Sequence, residues 1–167
     1  MMARFLEFSA EVTAFSAFEL QGTGQAQSYL DTVTGIVGAD LLGELLDAWD
    51  RVRTEPQPAR DMRLRREVFG DEKLGPIARN IVRLWYIGIW SELPRAWTET
   101  FGALEKNVGF MVSPAAYTEG LLWPAIGANP SGAKAPGYGS WALPPRIPSL
   151  EGISSDLYPD VPRKGES

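Results

Sequence analysis

The chain has 167 residues, 44% of them hydrophobic and 22% charged, with a formal net charge of −5. That length suits one domain with a single sizeable core, and the acidic balance argues against nucleic acid as the default partner, since neutralising phosphates takes a surplus of Lys and Arg. Cys and His are both absent, which excludes Ser–His and Cys–His nucleophiles, structural zinc and most catalytic zinc sites.

The opening is read as an amphipathic helix. Phe5, Phe8, Val12 and Phe15, with Leu6 beside them, recur at helical spacing. "QGTGQAQ" is expected to break it, with Thr23 as N-cap of a second helix through Tyr29, Leu30 and Val33 that Gly35 and Gly38 end. Leu41, Leu42, Leu45, Leu46, Trp49 and Val52 then form a strong apolar stripe. Asp40 stands near its start and Arg51 and Arg53 near its end, the charge order that a helix dipole favours.

Two prolines in "TEPQP" forbid helix continuation. A shorter charged helix is expected over Met62 to Phe69. Gly70 and Asp71 separate it from a longer one, about Glu72 to Trp90, with Pro76 in the tolerated first turn. Apolar residues on more than one face (Ile77, Ile81, Leu84, Trp85, Ile89) make this the candidate central helix. Gly88, read as interior to it, would cost about 1 kcal/mol relative to Ala, so a close packing partner is expected there. Pro94 begins a helix expected to end near Gly109, and Ser113 and Pro114 supply the N-cap and first position of another.

Charge is unevenly distributed. Eight acidic residues and only Arg4 precede position 51, whereas nine basic and five acidic residues lie between Arg51 and Arg83. Two helical faces of opposite sign packed together is the simpler explanation, and a basic surface for an acidic partner the sharper one.

After Trp123 the character changes. Eight of the thirteen prolines and six glycines fall between Pro124 and Ser167, a density that predicts extended or turn structure. Tyr138, Trp141, Leu143, Ile147, Leu150, Ile153, Leu157 and Tyr158 recur along it, unlike the composition of a solvated disordered tail. Such a segment needs a surface to lie on, its own helical body or another protein. The expected architecture is therefore all-α: a compact bundle of about six helices over residues 1–123, then a long extended Pro/Gly-rich tail over 124–167.

Catalytic motifs are weak. Asp71, Glu92, Glu99 and Glu119 show no spacing that marks an acid/base pair. "GTGQAQ" has no preceding strand and no third glycine in register, and "GANPSGAK" lacks the ending of a phosphate loop. The aromatic run "LWYIGIW" at helical spacing reads as core. No stretch approaches the roughly 18 apolar residues that a membrane-spanning helix needs.

Several segments resemble one family in order and spacing. "FLEFSAEVTAF", "LQGTG" and "YLDTV", then "IARNIVRLWYIGIW", "AAYTEGLLWPAIG" and "PGYGSWALPP", are similar to the small (gamma-type) subunits of FAD-dependent sugar and polyol dehydrogenases, of which the sorbitol dehydrogenase small subunit is a type member. The resemblance spans approximately residues 5 to 145. It implies a non-catalytic chain without cofactor of its own, bound to a large FAD-dependent subunit of the glucose–methanol–choline type, with a cytochrome c or other acceptor taking the electrons. No nucleic acid and no direct membrane insertion are expected. The interface is expected at Tyr117, Trp123, Tyr138, Trp141, Pro144 and Pro145. Two features depart from the family. Its common twin-arginine signal is missing, so the chain, taken as complete, is expected in the cytoplasm, or exported by a signal on its partner. A tail cysteine frequent in relatives is also absent, which excludes a disulfide to the large subunit. The alternatives are a free-standing helical binding module with a self-packed tail and, less favoured, an enzyme using carboxylates alone.

Overall fold

The computed structural model describes residues 1–103 and 107–131; the expectations placed on Tyr138, Trp141, Pro144 and Pro145 lie outside the described residues. Among these residues the chain is helical apart from one short antiparallel pair. In order it forms α1 (Met2–Thr13), α2 (Ala17–Gly22), α3 (Ala26–Val37), α4 (Ala39–Arg53) and α5 (Ala59–Leu64), the last continued by a π-helical turn, Arg65–Phe69. Then come α6 (Leu74–Ile87), β1 (Ile89–Trp90), α7 (Arg95–Phe101), β2 (Phe110–Met111), α8 (Pro114–Thr118) and α9 (Leu122–Ala125).

The first break comes earlier than expected. Ala14 takes a left-handed conformation (φ 61°) and ends α1, so Phe15 lies beyond the helix. Ser16 starts α2 with a reciprocal capping box: its hydroxyl accepts from the Glu19 amide (3.2 Å), and Glu19 Oε2 accepts from the Ser16 amide (2.8 Å). Two otherwise orphaned donors are thereby satisfied. Thr23 does not cap α3. Its hydroxyl donates to the Leu20 carbonyl at the end of α2 and accepts from the Gln25 amide, while α3 begins after Gln25. Gly35 lies inside α3, and Gly38 ends it with φ 87°.

The central helix is α6. Leu74, Ile77, Ala78, Ile81, Leu84 and Trp85 are buried on it, and it packs against α1, α3, α4 and α8. Trp85 stacks edge-on against Tyr29 (4.9 Å between ring centres, 88°) and lies 6.3 Å from Phe5. Burying a large apolar side chain contributes about 1.5–3 kcal/mol, so this aromatic group is a main source of stability. The expected boundaries shift inward: Asp71 Oδ1 accepts from the amides of Lys73 and Leu74, starting the helix, and Gly88 ends it with φ 69°. Gly88 is thus a C-terminal cap instead of an interior residue, and its left-handed geometry explains the glycine. Its expected close neighbour is Ala116: a Cβ on Gly88 would stand 2.7 Å from the Ala116 carbonyl carbon and 2.8 Å from its Cβ.

Ion pairs join the acidic first third to the basic segment after it. Arg53 pairs with Glu7, Arg60 with Glu11 (3.5 Å) and Lys73 with Glu44, while within the first third Arg4 meets Asp47 and Asp50 (2.6 Å each). Helix α7 stops at Phe101, with Gly102 at φ 78°, well short of Gly109.

Candidate functional site: an aromatic face at the end of the central helix

The last turn of α6 leaves carbonyls without helical partners, and the segment after β2 satisfies two acceptors there. The Leu121 amide donates to the Trp85 carbonyl (2.9 Å), and the Val112 amide to that of Gly88 (2.9 Å). Ser113 caps α8, its hydroxyl accepting from the Ala116 amide (3.0 Å), with Pro114 in the first turn as expected. Gly120 lets the chain pass closely over α6, since a Cβ there would lie 2.7 Å from the Tyr86 carbonyl oxygen. Tyr86 in turn donates its hydroxyl to the Thr13 carbonyl at the end of α1 (2.9 Å). The α8–α9 segment is therefore seated on the rigid core by backbone bonds.

Two of the expected interface residues, Tyr117 and Trp123, meet on this seat. Their rings are 5.3 Å apart in an edge-on arrangement (79°), and the Trp123 indole N–H donates to the Tyr117 carbonyl (2.7 Å). Both rings are half-buried. Trp123 lines a cleft of about 450 Å³ between α2 and residues 118–130, whose apolar walls are Phe15, Leu121, Pro124 and Pro130. Tyr117 lines a second depression with Met111, Val112 and Pro114, and Thr118 borders both. Exposed Phe18 on α2 (83%) and Ile126 after α9 (53%) add apolar surface at this end of the molecule. The arrangement can bury apolar side chains of another segment.

Glu19 brings a carboxylate to the cleft. Hydrogen bonds from the Ser16 hydroxyl and from its backbone N–H hold the Glu19 carboxyl below the usual carboxylate range. The wall contributed by α2 and the residues flanking it (Phe15, Glu19, Gly22, Thr23) was not anticipated from sequence. The Ser16-x-x-Glu19 capping signature is the signal that identifies that helix.

The four carboxylates considered for catalysis are not assembled. Asp71 caps α6 and Glu99 pairs with Arg95 along α7 (2.7 Å), whereas Glu92 and Glu119 line different cavities. Among the described residues no cluster of three or more His, Cys, Asp or Glu is placed to hold a metal ion, and no helix is long and apolar enough to cross a membrane. The chain matches no protein-family model, no curated protein and no solved structure.

Proposed function

We propose that the chain is a non-catalytic small subunit that stabilises and assembles with a large FAD-dependent dehydrogenase of the glucose–methanol–choline type, oxidising a sugar, glycoside or polyol. FAD and the hydride-abstracting machinery belong to the large subunit, and electrons pass onward to a cytochrome c or other acceptor. The observation that carries this reading is the Tyr117–Trp123 pair. Two rings marked as interface by resemblance lie together on a rigid seat, between two apolar depressions. Rigid amphipathic rings of this kind are favoured interface anchors.

One observation favours the second reading, a free-standing binding module with a self-packed tail. The Tyr117 hydroxyl donates to the Ser131 carbonyl (3.4 Å), and Pro130 is buried. The chain thus folds back on itself at least that far. Co-expression with a glucose–methanol–choline-type flavoprotein from the same genome separates the two. The subunit reading expects co-elution with flavin absorbance on size exclusion; a stable, flavin-free monomer that never retains the flavoprotein refutes it.

A further inference from the structure

A charged pocket lies apart from the aromatic face and shares no lining residue with either of its depressions. It has a volume of about 210 Å³ and is lined by Pro76, Arg79, Asn80 and Arg83 of α6 and by Glu92, Leu93 and Pro94 of the loop before α7. Its walls are held in place from within. Asn80, 3% exposed, donates its amide N–H to the Ser91 carbonyl (2.9 Å) and accepts from the Ser91 amide (2.9 Å). That two-point bond ties Ser91 to the central helix, and Asn107 holds the next part of the wall, accepting from the Leu93 amide (2.9 Å) and donating to its carbonyl (3.2 Å), the kind of support that positions a binding group.

The arginines are only partly used. Arg79 spends Nη1 on the Phe69 carbonyl (2.8 Å). Arg83, exposed and one helical turn on, makes no side-chain hydrogen bond or ion pair among the described residues, and neither does Glu92. Two like charges one turn apart repel, and no ion pair within the described residues relieves them. Most other basic residues of this stretch are paired: Arg53, Arg60, Arg63, Arg66 and Lys73 each meet a carboxylate.

We infer that the Arg79–Arg83 pocket binds the carboxylate side chain of an acidic segment of a partner protein. Three points select this ligand. Among the described residues the lining carries two positive charges and one negative, so a single carboxylate balances it, whereas a phosphate dianion would leave an excess of negative charge beside Glu92. Guanidinium groups present planar forks that match a carboxylate in two-point geometry. The volume suits one Asp or Glu side chain and falls below the roughly 300–1,000 Å³ of small-molecule and cofactor sites. The inference does not depend on the flavoprotein assignment, because it concerns the pocket's own charge and shape.

The test follows arginine Nε–Hε NMR signals of the full-length chain during titration with N-acetylated, C-amidated Ala-Glu-Ala. Ala-Gln-Ala, Ala-phosphoserine-Ala and free succinate are titrated in parallel. The expected result is a saturable shift of the Arg83 and Arg79 signals with the Glu peptide and none with the Gln peptide, while exposed Arg65 on the π-helical turn stays still. Arg83→Gln, at an exposed position, relieves the repulsion with Arg79 and is expected not to lower the melting temperature, while weakening the Glu peptide about tenfold. Equal shifts at Arg65, unchanged affinity in R83Q, or stronger binding of the phosphopeptide or of succinate would each overturn the assignment.

Discussion

Gly88→Ala probes the joint on which the aromatic face depends. Gly88 ends α6 at φ 69°, and an added Cβ would meet Ala116 at 2.7–2.8 Å on three atoms, two of them backbone. A left-handed conformation costs a non-glycine residue about 1 kcal/mol, and forcing a methyl into a packed contact about 1–3 kcal/mol more. The total is about 2–4 kcal/mol. Taking about 3 kcal/mol, a chain of this size loses about 6–12 °C in melting temperature. Gly24→Ala is the internal control: it has the same φ of 69° but nothing within 4 Å of the added Cβ, so it carries only the backbone term. The assay is paired thermal and urea unfolding of wild type, G88A and G24A. If G88A costs no more than G24A, α8 is not seated against the end of α6, and the account of the Tyr117–Trp123 face fails with it.

Ser16→Ala removes the α2 capping box and is expected to cost about 1 kcal/mol, read from urea midpoints at unchanged slope. Asn80→Ala breaks both bonds to Ser91 and is expected to destabilise by about 1–3 kcal/mol; an unchanged midpoint would mean that these two bonds add nothing to the seating of Ser91 on α6. Glu67 is held down to about 2 from the ordinary 4.5 by hydrogen bonds from Arg63 and then Arg66. A lowered folded-state value means that its contribution is complete above pH 4.5 and lost as pH falls towards about 2. Glu67→Gln should therefore flatten the acid limb of the stability curve between those values, and an unaltered limb would assign the loss to other groups. Trp141→Ala is expected to weaken assembly with the proposed large subunit by about 2 kcal/mol or more, measured by titration calorimetry; unchanged affinity would remove Trp141 from that interface.

Helical periodicity made most of the core readable. The stripe on α4, Leu42, Leu45, Leu46, Trp49 and Val52, is buried as its spacing predicts, with Leu41 half-buried beside it. The aromatic run around Trp85 is core, and the opposite charges of the first and second segments pair across helices. What the spacing misplaced were ends. A left-handed Ala14 ends α1, although alanine is the best helix former. Gly88, read as interior, is a cap. Ends depend on which orphan groups find partners, and several of those partners are distant in sequence.

The candidate face divides along the same line. The family resemblance singled out Tyr117 and Trp123, and the sequence determined the helical class, the apolar stripes and the lack of any Cys or His chemistry. Only the tertiary structure decided that α2 supplies the opposite wall of the Trp123 cleft, and that Arg79, Arg83 and Glu92 line one pocket whose wall Asn80 and Asn107 hold. Periodicity reports which side of an element is apolar because burial acts on each residue locally. Which elements meet is set by close packing and by backbone bonds such as Leu121 to Trp85, made between residues 36 positions apart, and no local pattern encodes those.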